Sequence, residues 1–194
     1  LGLRRGDTEN AEVCKDLLQA LIERGLKPDR PLLFVLDGSK ALQKAVRKVF
    51  GETAPIQRCI RHKERNVLGY LSQRDHAEFR RRWKLIHGMA RVDAAEEELK
   101  RLAAWLSQRN LEAAASLAEA QGETLTVIAL GASGALRKTL LSTNPIESVF
   151  SGVRDKTRRV RHWRTKGDQI ERWAGSCLLA AEKGFRAIRG AKDN

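Results

Sequence analysis

The chain has 194 residues and 42% hydrophobic content, enough to bury one core or one core with a helical insertion, so intrinsic disorder is excluded. Its formal charge of +13, with 24 arginines against 13 lysines, calls for a polyanionic partner, and guanidinium forks favour phosphate. Cys14, Cys59 and Cys177 are too few and too scattered for a disulfide framework, and no apolar run or leader marks a membrane protein. A soluble cytoplasmic protein that binds nucleic acid is the expectation.

Residues 7–10 offer N-cap chemistry for a first helix, in which Val13, Leu17, Leu18, Leu21 and Ile22 recur at helical spacing before Gly25. After the turn at Pro28-Asp29-Arg30-Pro31, the continuous apolar run Leu32 to Leu36 reads as a buried strand. Ser39 can cap a helix carrying Leu42, Val46 and Val49 that stops at Gly51, and Pro55 to Ile60 is a short strand candidate. Strand, helix and strand in alternation indicate an α/β core.

From Arg61 to about Leu140 the pattern is helical, with Asp75 and Asp93 as N-cap candidates and Asp93 paired with Glu96 in a capping-box pattern. Charge is segregated within it. Residues 58–84 hold nine basic and three acidic side chains, so they can face nucleic acid. Residues 93–123 hold three basic and seven acidic ones and read as a solvated outer layer or a protein contact. The last third carries Ile170, Trp173, Ala174, Cys177, Leu178, Ala181, Phe185 and Ile188 at amphipathic helical spacing. Trp83, Trp105 and Trp173 read as core; Tyr70 and Trp163, near basic residues, can stack on bases.

Two acids stand out. Asp37 ends the first strand and precedes Gly38, where an α/β sheet exposes functional side chains; it can equally begin a turn that caps the next helix. Glu147 follows Asn144-Pro145 at a helix start and can bond back to its own cap, or hold a divalent metal. The run that follows, Arg154, Lys156, Arg158, Arg159, Arg161, Arg164 and Lys166 against Asp155 alone, is a phosphate-binding stretch or a solvated helix face. Cys59 and His62, flanked by Arg58, Arg61, Lys63 and Arg65, lack the further ligands that structural zinc needs and read as local packing or active-site neighbours.

Taken together, Gly6-Asp7-Thr8-Glu9-Asn10, Asp37-Gly38-Ser39-Lys40-Ala41-Leu42, Gln57-Arg58-Cys59-Ile60-Arg61-His62-Lys63, Arg65-Asn66-Val67, Ser142-Thr143-Asn144-Pro145-Ile146-Glu147-Ser148 and Arg172-Trp173 resemble the Mutator family of bacterial insertion-sequence transposases. The resemblance implies an RNase H-like α/β fold divided as core (1–60), all-helical insertion (61–140) and core again (141–194). It implies a catalytic Asp-Asp-Glu triad with two Mg²⁺ (or Mn²⁺) ions, in which Asp37 is the second aspartate and Glu147 the glutamate and both are metal ligands. Cys59, His62 and Asn144 would lie near the active site. Arg58, Arg61, Lys63, Arg65, Arg154, Arg158, Arg159, Arg161, Trp163 and Arg164 would contact DNA. The partners would be transposon ends and target DNA, with a homodimer in the intact, nucleoid-associated enzyme.

The family's first aspartate and its N-terminal strands precede the Gly6–Asn10 segment. The expectation is therefore a C-terminal transposase piece, from a truncated gene, a relic or a partial protein, that binds DNA but is inactive alone. Its rivals are a non-catalytic DNA-binding relic that pairs with an intact transposase, and a basic RNA-associated structural protein.

Overall fold

The computed structural model describes the chain apart from residues 1, 5, 7–9, 121, 165–166 and 191–194. In chain order the elements are α1 (Ala11–Glu23), β1 (Phe34–Leu36), α2 (Lys40–Phe50), β2 (Ile56–Arg58), α3 (Ile60–Leu68), α4 (His76–Gly88), α5 (Val92–Ser107), α6 (Leu111–Ala118), α7 (Thr126–Ala129), α8 (Gly134–Leu140), α9 (Asn144–Thr157) and α10 (Gln169–Glu182). The chain is mostly helical with one small parallel sheet, compatible with the α/β expectation. It divides into two compact units, one of Leu1–Leu32, Ser39–Ala54 and Asn144–Ala187, the other of Leu33–Gly38, Pro55–Thr143 and Ile188–Asn194.

The first unit holds α1, α2, α9 and α10. Asn10 caps α1 by accepting from the Val13 amide at 2.9 Å; residues 7–9, the other cap candidates, lie outside the described residues. Ser39 Oγ caps α2 by accepting from the Leu42 amide at 3.0 Å, and Gly51 ends it at φ 97°, a left-handed angle that costs glycine little. Helices α1 and α2 pack together, with Leu18, Ala20, Ala45 and Val46 buried and Lys48 reaching Glu12 at 3.0 Å. Helices α9 and α10 also pack on one another.

The second unit is built round the parallel pair β1–β2, in register Phe34↔Ile56, Val35↔Gln57 and Leu36↔Arg58. Parallel strands need a crossover, and the 19 residues between Leu36 and Ile56, including α2, are long enough to supply one. The expected strand Leu32 to Leu36 shortens to three residues, of which Leu36 alone is buried. On β2, the chain after the short 3₁₀ turn Gly122–Thr124 satisfies polar groups that the β1 ladder does not. Thr126 Oγ1 donates to the Ile56 carbonyl at 2.6 Å, the buried Gln57 amide donates to Thr124 O at 3.0 Å, and Gln57 Oε1 accepts from the Val127 amide at 2.9 Å. These bonds satisfy the Ile56 carbonyl and the buried Gln57 side chain.

The helical part of this unit has a continuous apolar core. Val67, Phe79, Trp83, Ile86, Leu99, Leu102, Leu106 and Leu117 are all at most 2% exposed, each worth about 1.5–3 kcal/mol of burial. Trp83 stacks on Phe79 at 5.7 Å and donates its indole N–H to the Ile60 carbonyl at 3.2 Å, which ties α4 to the start of α3. Trp105 packs at the core margin, with the Arg82 and Arg109 guanidinium groups 5.2 and 4.2 Å from its ring.

Three local expectations need correction. Arg91 rather than Asp93 occupies the N-cap position of α5, without a side-chain capping bond, because Asp93 already lies in the first turn and is held by the Arg91 guanidinium and the Ala94 amide. The helix expected through Ile188 ends at Glu182, and of its apolar face only Cys177 and Leu178 are buried. Trp173 is 43% exposed and so is not a core residue.

Candidate active site

Asp37 is the first residue after β1 and is exposed. The chain then turns at Gly38 with φ 123°, and a Cβ at that position would come within 2.5 Å of Arg58 Nη1. Only glycine suits both constraints. The Arg58 guanidinium therefore lies directly against the turn that presents Asp37.

Arg58 itself is 3% exposed. Its Nη2 donates to Glu119 at 2.9 Å and its Nε to Glu123 at 3.3 Å. Lys63, 2% exposed, donates from Nζ to the other Glu119 oxygen at 2.6 Å and to the Ser116 carbonyl at 2.7 Å. Burial by itself would push the Glu119 carboxyl up, but the Lys63 hydrogen bond and the charges of Arg58 and Lys63 outweigh it and hold the group below its ordinary value. Two cations thus meet two carboxylates inside the unit.

Arg58 and Lys63, expected among the DNA contacts, instead have buried head groups bonded to Glu119 and Glu123. Arg61 and Arg65, one helical turn apart on α3, are exposed. The acidic stretch expected as an outer layer supplies the internal counter-charges, Glu119 and Glu123.

Cys59 is fully buried immediately after β2, and its amide donates to the Leu36 carbonyl at 2.7 Å. Its sulfur accepts from the Thr143 amide at 3.4 Å and from the Thr143 hydroxyl at 3.3 Å. His62 Nδ1 is 3.3 Å from the same sulfur and 3.4 Å from Thr143 Oγ1. The Ile60 amide donates to the Leu141 carbonyl at 3.0 Å, so residues 141–143 are stitched to the end of β2. Thr143 was singled out only as part of a motif; its partnership with Cys59 and His62 could not be read from spacing.

In the other unit, Glu147 lies in the first turn of α9, partly buried, and Asn144 begins that helix, exposed. Arg154 and Lys156 occupy its last turn, whereas Arg158, Arg159, Arg161 and Arg164 follow it, all exposed. The basic run is therefore largely not a helix face; Lys166 lies outside the described residues. Trp163 meets Trp173 edge to face, with ring centroids 6.4 Å apart.

Asp37 and Glu147 are hard oxygen donors, the type that Mg²⁺ and Mn²⁺ take. Their chemistry fits a divalent ion, although among the described residues no three His, Cys, Asp or Glu side chains are grouped as a metal site. No helix among these residues is long and apolar enough to cross a membrane.

Residues 1–182 match the family described as Transposase, Mutator family. Over 153 residues the chain is 33% identical to the transposase for insertion sequence element IS6120 of Mycolicibacterium smegmatis, covering 79% of this chain and 46% of that protein. Over 202 residues it is 28% identical to the transposase for insertion sequence element IST2 of Acidithiobacillus ferrooxidans, covering 98% of this chain and 65% of that protein. The chain thus spans roughly half to two thirds of the relatives it matches.

Proposed function

This chain belongs to the Mutator family of transposases, and from that premise we propose that it carries part of a DNA cleavage and strand-transfer centre of the Asp-Asp-Glu type, with Asp37 and Glu147 as two of the three acids. The observation that supports it most is the placement of Asp37 at the carboxyl end of a parallel strand, on a glycine turn backed by a buried arginine. Open α/β sheets put ligand-binding groups at that edge. The core is RNase H-like, and the helical block from residue 61 to about 140 is an insertion within it.

In this reading Asp37 and Glu147 are each ligands to Mg²⁺ or Mn²⁺. The metal, when bound, supplies activation of the attacking oxygen and stabilisation of the leaving oxygen in displacement at phosphorus. Arg58 and the Gly38 turn fix the direction of the Asp37 carboxylate. The exposed Arg61, Arg65, Arg154, Arg158, Arg159, Arg161 and Arg164 hold phosphates and set the register of the duplex without reading its sequence. The intact protein works as a homodimer on transposon ends and target DNA in the bacterial cytoplasm.

The test uses the transposase that carries these residues. Asp37→Asn and Glu147→Gln keep shape and remove charge, so each should abolish Mg²⁺-dependent cleavage and joining while leaving affinity for transposon ends within about twofold. A variant that still cleaves at the wild-type rate removes that residue from the centre.

A further inference from the structure

Helices α9 and α10 border an open, solvent-facing cavity of about 630 Å³ lined by Lys156, Gln169, Arg172, Trp173, Ser176 and Cys177. Trp173 is 43% exposed on an otherwise folded helix, where desolvating so large a ring would be favourable if something covered it. The Trp163 ring stands nearly perpendicular to it, at 89°, so the two indoles do not stack face to face on each other. Lys156 and Arg172 bring positive charge to the same cavity, Ser176 brings a hydroxyl and Gln169 its side-chain amide NH₂, the Gln169 Oε1 already accepting from the Arg164 amide at 2.8 Å, and the exposed Arg158, Arg159 and Arg161 follow α9 in the chain. Arg172 also meets Asp168 at 2.9 Å, but this pair is largely exposed and holds the guanidinium weakly.

A flat apolar face, amide and hydroxyl groups and two cations are what an unstacked nucleotide requires: stacking for the base, hydrogen bonds for its edge, charge for its phosphates. We infer that this cavity is a binding site for one extrahelical nucleotide of the DNA on which the protein acts, with the base on Trp173 and the adjoining phosphates on Lys156 and Arg172. The inference rests on the DNA-processing reading above and goes beyond it, because a site that handles only paired DNA needs no such cavity. The cavity chemistry is indifferent to base identity, since every base has a stacking face.

The full chain is titrated with three duplexes that are identical except for one position: fully paired, carrying a one-nucleotide bulge, and carrying an abasic bulge. The bulged duplex should bind about tenfold more tightly than the abasic one and quench tryptophan fluorescence as it does so, that ratio being what one stacked base supplies. Trp173→Ala should erase the preference while leaving affinity for the paired duplex intact, and Trp173→Phe should keep part of it. Lys156→Gln and Arg172→Gln should each lower the salt slope by about 0.9 for the bulged duplex only. Equal affinity for the bulged and abasic duplexes overturns the site while leaving the DNA reading standing. No binding to any duplex overturns both. A dimer that Trp173→Ala dissociates would show that a second copy of the chain covers the cavity, and would also overturn it.

Discussion

The Cys59 sulfur accepts two hydrogen bonds from Thr143, one from its amide at 3.4 Å and one from its hydroxyl at 3.3 Å, across 84 positions of sequence. A thiol is a weak acceptor, yet at this fully buried position it is a partner that water cannot replace. Together with the Ile60 to Leu141 hydrogen bond, it fastens the segment before α9 to the end of β2.

Cys59→Ala removes that acceptor from the buried Thr143 amide and hydroxyl, although His62 Nδ1 remains 3.4 Å from the hydroxyl. The expected loss is about 1–3 kcal/mol of unfolding free energy. Cys59→Ser keeps an acceptor, although a shorter one, and should recover part of the loss. Urea denaturation of the three proteins checks this; an unchanged midpoint for Cys59→Ala would mean that the sulfur contacts carry no weight.

Glu119 faces both Arg58 and Lys63, so Glu119→Gln leaves two buried cations with only Glu123 in place. Breaking a buried pair costs about 3–5 kcal/mol, but the Glu119 side chain is 40% exposed and solvent softens the loss to about 2 kcal/mol. The depressed carboxyl also sets a direction with pH. Its contribution is complete above the unfolded value near 4.5 and fades as pH falls through the lower folded value. Thermal melts of Glu119→Gln against the parent at neutral pH should show the deficit, and a difference below about 0.5 kcal/mol would refute the counter-charge role.

His87 is buried on α4 with its ring 4.2 Å from Trp83, and its Nδ1 is 2.9 Å from the Trp83 carbonyl. Burial pushes its pKa down from 6.5 to about 4, against the opposing backbone hydrogen bonds. The unfolded chain then binds a proton that the folded chain refuses. Stability is therefore complete above about pH 6.5 and declines as pH falls towards 4, by at most about 3 kcal/mol from this group. His87→Gln removes the titration, so its unfolding free energy should vary less between pH 7 and 4 than the parent's. Parallel pH profiles would assign the acid sensitivity elsewhere.

What could be read in advance divides by range. The Asn10 and Ser39 caps and the Gly51 stop involve groups a few residues apart, and local chemistry decides them. The strand-end position of Asp37 followed from a short apolar run, though the run shortened to three residues. The burial of Arg58 and Lys63 was not legible, because their partners at Glu119 and Glu123 lie more than fifty positions away and meet them only after α6 has packed. Periodicity misled at α10: it marks which face is apolar, not whether anything covers it, and Trp173 and Leu179 remain exposed. Asp93 failed as a cap because its carboxylate is engaged by Arg91 and the adjacent amide.

Gly38 and Gly51 allow a matched comparison. Both have left-handed φ, 123° and 97°, so alanine strains the backbone at either. Only at position 38 would the new methyl also press on Arg58, whose guanidinium is held by Glu119 and Glu123 and has little room to withdraw. Gly38→Ala should therefore cost more than Gly51→Ala, by about 1 kcal/mol or more. Equal losses in denaturant titrations would show that Arg58 yields freely and does not brace the turn at Asp37.

The buried and exposed cations should separate cleanly in DNA binding. Each phosphate neutralised contributes about −0.9 to the slope of log affinity against log salt. Arg158, Arg159 and Arg161 are exposed after α9, so their combined change to alanine should flatten the slope and weaken binding to all sequences alike. Arg58 and Lys63 are committed to internal carboxylates. Lys63→Met should lower stability yet leave the slope unchanged, provided the assay is run where circular dichroism shows the variant folded. A slope that falls with Lys63→Met, or that survives loss of the three arginines, would reverse the assignment of which cations meet the phosphate backbone.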